Sequence, residues 1–376
     1  MPPGNARQTG GRTRLRAIPA CPTLQGQFDI PDEMAEPLHF PVTTPPAPGE
    51  VIPIAPGVLW LRMKLPFALN HINLWLIDDG PTWTAVDAGF TLAETKEAWQ
   101  HIFATHLGGR RIGRVIVTHF HPDHIGMAGW LTEHWEAPLW ITDKEWLHAR
   151  MNTTSGEDAA QRRRDFGRRA GLDDEASAIF AERQGNYRRG VPSVPPAYRR
   201  IGEGSVIEIG GREWRVLIGE GHAPEHACLF CEETGTLIAG DQILPRISPN
   251  ISVQAYEPEG DPLARYLASL ARLREELPPD ILVLPSHNLP FRGVHLRIGE
   301  LAAHHGARCD EIVDACSRPM SAADMVPVLW RRQLDRHQIG FALGEALAHL
   351  HYLAGQGEIA RATGSDGVDR FLRQAA

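Results

Sequence analysis

The stretch Val115–Gly129 constrains this chain more than any other, because it places three histidines and one aspartate within six residues. The β-branched residues Val115–Thr118 predict a buried strand. Pro122 ends the extended segment, and the residues after it predict a helix that reaches Leu131. Imidazole and carboxylate groups suit zinc, iron or manganese. The sequence therefore predicts a metal site at the end of a buried strand, formed by His119, His121, Asp123 and His124.

Further candidate ligands follow three later apolar runs. Each run is short enough for a buried strand, and each is followed by one histidine or aspartate. The runs are Trp214–Ile218, Thr236–Ala239 and Ile281–Leu284, and the residues that follow them are His222, Asp241 and His287. Within the first cluster, His119 and His121 share one side of an extended chain, whereas Asp123 and His124 come after the turn. We therefore expect the two pairs to serve two different metals.

This ordered set of ligands resembles the metallo-β-lactamase superfamily over roughly Pro53 to Arg297. The resemblance implies an α/β fold, an αββα sandwich of two mixed sheets flanked by helices. It also implies one metal held by His119, His121 and His222, a second held by Asp123, His124 and His287, and Asp241 as the bridge between them. Asp123 and Asp241 would be the catalytic carboxylates. Asp87 matches an aspartate that supports the ligands without binding metal.

The same resemblance implies a hydrolase with two divalent ions, with zinc as the first expectation and iron or manganese as alternatives. Such ions share a water and lower its pKa, so that a bridging hydroxide attacks the substrate. The bridging residue is Asp241, whereas many true β-lactamases of the superfamily have cysteine. The ligand set is therefore similar to that of glyoxalase II and the lactonases, which indicates a small-molecule thioester, lactone or related ester. Two alternatives stay open: an RNA or phosphodiester hydrolase, and a mononuclear-iron enzyme of the persulfide dioxygenase type.

Substrate selectivity must come from residues around the ligands. The candidates are His71 in the loop that begins at Pro66, and Arg246 and Asn250, which follow Asp241 closely. For His71 a structural role is an equal alternative, and for the other two a turn cap is. The segment 140–200 is a charged, helix-prone insertion that contains the cluster Arg162–Arg164. We favour a solvated helix face for this cluster over a cap that grips an anionic substrate.

The order of elements predicts three segments. Residues 1–48 form a flexible arm, residues 49–297 the metallo-β-lactamase-like domain with its insertion, and residues 298–376 a small, mostly helical domain. Helices followed by a hairpin-like tail resemble a winged helix, for which we expect packing or dimerisation as the role. Predicted elements include strands at Val58–Met63, Ile72–Ile77 and Trp83–Val86 and helices at Leu92–Leu107, from Gly293 to about Cys316, from Ser321, and at Phe341–Leu353.

Composition disfavours several other classes of protein. The net charge of −8 argues against a nucleic-acid partner, and no apolar run is long enough for a membrane span. Five cysteines, an odd number, fit reduced thiols in the cytoplasm better than a disulfide framework. Cys228 and Cys231 form a CxxC pair, but in a strand they would face opposite sides, which disfavours a metal or redox role.

Overall fold

The computed structural model describes residues 37–67, 69–184, 187–334 and 336–374. The predicted arm up to residue 36, which contains Cys21, lies outside the described residues. Its remaining part contacts the fold, because the backbones of His39 and Arg292 pair and the rings of Phe40 and Phe291 lie 6.5 Å apart. This stretch of the predicted flexible arm is therefore a packed lead-in to the first strand.

The first sheet, as far as the structure describes it, contains seven strands in chain order: β1 (Val51–Ala55), β2 (Val58–Lys64), β3 (His71–Asp79), β4 (Thr82–Val86), β5 (Arg111–Ile116), β6 (Leu139–Ile141) and β7 (Arg199–Arg200). Pairing is antiparallel from β1 to β4 and parallel from β4 to β7. Strand β3 has an almost continuous apolar sequence because both of its faces are buried. Leu74 and Leu76 pack on one side, and Trp75 and Ile77 pack on the other.

The second sheet contains five strands among the described residues: β8 (Val206–Ile209), β9 (Arg212–Gly219), β10 (His226–Cys231), β11 (Thr236–Gly240) and β12 (Leu282–Pro285). Their spatial order is β12-β11-β10-β9-β8, with β11 and β12 parallel and the other pairs antiparallel. In β10 the side chain of Cys228 packs in the helix-facing core, whereas Cys231 packs between the sheets. The prediction that these cysteines face opposite sides is confirmed.

Three apolar clusters arrange the two sheets face to face between helices. Trp60 and Trp75 of the first sheet pack with Trp214 and Leu229 of the second in one cluster. The other two clusters join the outer face of each sheet to helices. The predicted αββα sandwich is therefore confirmed. Its helices are α1 (Ala93–Thr105), α2 (Pro122–Ile125), α3 (Ala128–Trp135), α4 (Asp143–Thr154), α5 (Glu157–Arg169), α6 (Asp174–Gln184), α7 (Tyr187–Gly190) and α8 (Pro262–Glu276).

The first ligand segment differs from its prediction in one respect. The single helix expected after Pro122 is divided into α2 and α3 around Gly126 and Met127. A Cβ on Gly126 would lie 2.4 to 2.7 Å from three backbone carbonyl oxygens, and the N–H of Met127 donates to the carbonyl of Gly89. The N–H of Met127 therefore bonds to a neighbouring segment instead of continuing the helix.

The C-terminal region packs on the second sheet. It contains α9 (Val294–Ala315), α10 (Ala322–Leu329), α11 (Arg336–Gln356) and the antiparallel hairpin of β13 (Ile359–Thr363) and β14 (Asp369–Arg373). The helix predicted from Ser321 begins with a capping box, because Ser321 and Asp324 exchange side-chain to backbone hydrogen bonds. Helix α11 begins earlier than the predicted Phe341, and the winged-helix assignment stays a prediction. Across the described ranges, no helix combines the length and apolarity needed to cross a bilayer.

Candidate metal centre

Four loops at one edge of the sandwich bring the predicted ligands together. His119 and His121 follow β5, and His222 follows β9. The Nε2 atom of His119 lies 2.9 Å from Nδ1 of His121 and 3.3 Å from Nε2 of His222. These three nitrogens form a compact group that can hold one metal ion.

A second group lies beside the first. The Oδ2 atom of Asp123 is 3.8 Å from Nε2 of His124 and 3.5 Å from Nε2 of His287. Nε2 of His124 is buried and lacks a hydrogen-bond partner within the described residues. An unpaired buried nitrogen is costly unless another group contacts it. A shared cation fits these atoms better than a shared proton, because ligand atoms on one zinc lie about 3.3 Å apart.

Asp241 lies between the two groups. One carboxylate oxygen is 3.6 Å from Nε2 of both His222 and His124, and the other is 3.4 Å from Nε2 of His287. The carboxylate therefore faces ligands of both groups at once. Three of the histidines are oriented by a hydrogen bond at Nδ1. The partner of His124 is the Asp87 carboxylate, at 2.7 Å. The partners of His222 and His287 are backbone carbonyls, those of Asn250 and His71, each at 2.9 Å. Each of these bonds leaves the Nε2 lone pair directed at the centre.

Burial sets the charge of the first group. It lowers the pKa of His119 and His222 and, with the nearby His222, lowers the pKa of His121 to about 3. These rings are therefore neutral at pH 7, which is the form that binds metal. His119, His121 and His222 are thus prepared to act as ligands without losing a proton.

Carboxylates set the charge of the second group. Burial opposes a charge on His287, but Asp241 and Asp123 outweigh it and raise the pKa of His287 to about 10. The pKa of His124 is also raised, because burial is outweighed by Asp87, Asp241 and Asp123. The carboxylates thus stabilise positive charge here, and a divalent ion can supply that charge in place of the protons. The donor set fits a centre for divalent metal ions.

Sequence reasoning missed two buried residues that position the ligand loops. The carboxylate of Glu145 on α4 accepts the N–H of Phe120 at 2.9 Å and the N–H of Glu225 at 2.6 Å. Phe120 lies between His119 and His121, so Glu145 joins the first ligand loop to the loop of His222. Burial raises the pKa of Glu145 to about 7.

His226 is the second missed residue. Its Nε2 accepts the backbone N–H of Asp241 at 3.0 Å, and its ring stacks on His119 with 4.7 Å between centroids. In the sequence, the one feature that marks His226 is its position four residues after His222. This spacing does not show whether the side chain binds a metal or only orients a ligand. His226 therefore supports the bridging position.

The three predicted substrate residues lie in different settings. His71 accepts the N–H of Asn288 at 2.9 Å and bonds to the side chain of Asn70 at 2.7 Å, which matches the structural alternative. The guanidinium of Arg246 lies over the ring of Phe40, 5.3 Å from its centroid. Substrate binding by these side chains remains a prediction.

Asn250 is held firmly by two neighbours. Its amide donates to Oε2 of Glu345 on α11 at 3.1 Å, and its amide oxygen accepts the hydroxyl of Ser252 at 2.6 Å. The N–H of Val253 also donates to the carbonyl of Gly344 at 3.1 Å. The segment that orients His222 is therefore fastened to the C-terminal helix.

The arginine-rich helix α5 packs toward the C-terminal region. Arg169 donates to Asp369 at 2.8 Å and pairs with Glu259 at 2.7 Å, and the N–H of Ala323 donates to the carbonyl of Ala170. The side chain of Arg164 bonds to Gln161 on the same helix. These contacts fasten the insertion to the tail of the chain.

Two family models match this chain. The model described as metallo-beta-lactamase superfamily matches residues 69–287, and the model described as metallo-beta-lactamase-like, C-terminal domain, matches residues 309–375. The first match contains every side chain of the centre described above.

Similar proteins occur among solved structures and curated proteins. The crystal structure of a beta-lactamase domain protein from Burkholderia ambifaria is 48% identical with a TM-score of 0.83, covering 90% of this chain and 98% of that one. The probable metallo-hydrolase YqjP of Bacillus subtilis is 26% identical over 79% of this chain and 92% of that protein. The acyl-coenzyme A thioesterase MBLAC2 of Gallus gallus is 26% identical over 62% of this chain and 79% of that protein.

Proposed function

Because this chain belongs to the metallo-β-lactamase superfamily, we propose that it is a hydrolase with two divalent metal ions that cleaves a thioester, lactone or related ester. Zinc is the first candidate metal, because the ligands are imidazoles and carboxylates at distances that suit it. The proposed ligands of the first ion are His119, His121 and His222, those of the second are Asp123, His124 and His287, and Asp241 bridges the two.

The position of Asp241 is the observation that carries this proposal. Its two oxygens lie 3.4 to 3.6 Å from Nε2 atoms of both ligand groups. A carboxylate in this place can neutralise part of the charge of two neighbouring cations.

The chemistry follows from this arrangement. When bound, the two ions would lower the pKa of a shared water and polarise the scissile carbonyl. Asp123 and Asp241 face the same space, so their carboxylates can orient that water and accept its hydrogen bonds. His226 and Glu145 keep the loops that carry these groups in register. No serine or cysteine nucleophile is required.

Two observations favour an ester-type substrate. A similar protein is named an acyl-coenzyme A thioesterase. The proposed bridging residue is Asp241, and an aspartate at this position makes the ligand set similar to that of glyoxalase II and the lactonases. Together they support a small substrate with an activated acyl carbon.

Elemental analysis of the purified protein, followed by a substrate panel, tests this function. We expect two zinc equivalents per chain at the centre and hydrolysis of a thioester or lactone that a chelator abolishes and added zinc restores. As a control, the variant D310A, which removes an exposed aspartate on α9, should bind the same metal and hydrolyse the same substrates as the wild type. One tightly bound iron with oxygen uptake on a persulfide would overturn the proposal, as would cleavage restricted to phosphodiesters.

A further inference from the structure

A second cluster of possible ligands lies on the surface, away from the centre. Glu50 precedes β1, His101 lies in α1 and His106 is the residue at which α1 ends. The Glu50 carboxylate oxygens are 3.7 Å from Nε2 of His101 and 3.3 Å from Nε2 of His106. All three ligand atoms lie within 4.8 Å of one another. We call these three residues the surface triad.

Two independent features indicate that the surface triad attracts a cation. The Nε2 atom of His106 is buried, and its 3.3 Å contact with the Glu50 carboxylate lacks the geometry of a hydrogen bond. The triad also lies where α1 ends, and the negative end of a helix dipole favours positive charge; the last turn of α1 has no basic residue.

The surroundings of His101 also fit a ligand. Gly49 has a φ of +86°, and a Cβ at that position would lie 3.3 Å from the ring of His101. The absence of a side chain at Gly49 therefore lets the imidazole lie against the turn that carries Glu50. The groove next to His101 is also lined by Glu94, Glu97 and Lys64, so its carboxylates outnumber its amine.

We propose that the surface triad binds a divalent cation of the zinc class. Two imidazole nitrogens and one carboxylate are a common donor set for zinc, which would take one or more waters to complete its coordination. Ligand atoms on one zinc lie about 3.3 Å apart. The contacts of 3.7 and 3.3 Å are each made by a different Glu50 oxygen, so small side-chain movements would bring all three groups onto one ion. The ion would fasten the lead-in to β1 onto α1. The site is open to solvent, so its affinity is below that of the buried centre.

Zinc titration of the full-length protein tests this site. The protein is first loaded at the buried centre and freed of excess metal, and ZnCl₂ is then added in a calorimeter. We expect the wild type to take up one further equivalent and its melting temperature to rise with zinc. The variant H101A/H106A should lose this step, with affinity reduced at least about tenfold. Its content of centre metal and its hydrolysis rate should equal those of the wild type.

Two further variants keep the test decisive. H39A removes an exposed histidine outside the triad and should titrate like the wild type. E50Q keeps the size of the side chain but removes its charge, so it should bind zinc more weakly than the wild type. If the wild type takes up no further zinc, or if H101A/H106A binds it equally well, the surface triad is a set of histidine–glutamate contacts only. Neither result would bear on the proposed hydrolase.

Discussion

The buried centre and the surface triad use the same donor groups in opposite settings. At the centre, the side chains of His124 and its partner Asp87 are 0% and 1% exposed, whereas His101 and Glu50 of the triad are 52% and 54% exposed. The rings of His124, His222 and His287 are each oriented by a hydrogen bond at Nδ1, and no such bond to His101 or His106 is found within the described ranges. We infer that preorganisation, more than ligand type, would distinguish the proposed catalytic centre from the proposed surface metal site.

The largest expected effect comes from removing the bridge. The variant D241A should lose at least one metal ion and reduce kcat by roughly a thousandfold or more, the scale of losing a principal electrostatic contribution. The reason is that two like-charged ions would then face each other with one carboxylate fewer between them. Metal content and kcat measure this directly, with D310A as control. Two bound ions and near-normal turnover would contradict the bridging role.

Glu145 tests whether the centre depends on hydrogen bonds behind the ligands. In E145A the N–H groups of Phe120 and Glu225 lose their acceptor, and each unpaired buried group costs about 1–3 kcal/mol. We therefore expect a lower melting temperature and weaker metal binding at the first ligand group. A variant as stable as the wild type, with unchanged metal content, would show that the loops hold their positions without Glu145.

The same residue predicts a pH dependence of stability. Burial raises the pKa of Glu145 from its ordinary 4.5 to about 7, so the folded state favours the protonated carboxyl. Its contribution to stability is complete below pH 4.5 and is lost as the pH rises toward about 7. Because glutamine does not titrate, the free energy of unfolding of the wild type should fall relative to E145Q over this range. Denaturant unfolding of both proteins at a series of pH values measures the difference, and parallel curves would disprove it.

A smaller effect is expected from the C-terminal helix. Glu345 fixes the side chain of Asn250, whose carbonyl orients His222, so E345A should weaken metal binding at the first group by about 10–100-fold. E345Q keeps an oxygen acceptor and should bind metal almost normally. N250A removes the same contact, so the effects of N250A and E345A should not add in the double variant. Additive effects would mean that the two residues act independently.

The smallest effect is expected on the arginine cluster of α5. The side chain of Arg164 bonds to Gln161 on its own helix, and Arg162 is exposed. The charge reversal R162E/R164E should therefore leave KM for an acidic-tailed thioester within about twofold, since exposed charges contribute little. A selective rise in KM for that substrate, with a neutral lactone unaffected, would instead support the alternative of an anion-gripping cap.

Sequence alone was sufficient to predict the layered fold and the identity of the clustered side chains. Buried strands have β-branched and apolar runs, and a histidine or aspartate within a few residues after such a run lies at the edge of a sheet. His119, His222 and His287 could therefore be found one by one, without knowledge of their partners. The αββα arrangement followed from the resemblance that these ligands carry.

The division of the first ligand helix at Gly126 was not predictable in the same way. It depends on the carbonyls of Gly89 and Gly190, which approach from distant parts of the chain. A glycine within a helix-like pattern is compatible with either outcome until its neighbours are known.

Only the tertiary structure determined which residues hold the ligands in place. Glu145 and Glu225 are 80 residues apart, and Asn250 and Glu345 are 95 residues apart. Their bonds join a side chain to a backbone group or to an amide, so they leave no periodic pattern in the sequence. The sequence determined the donor atoms of this centre because each follows its own local element. The folded chain determined their orientation and charge, because both depend on burial and on hydrogen bonds between segments far apart in sequence.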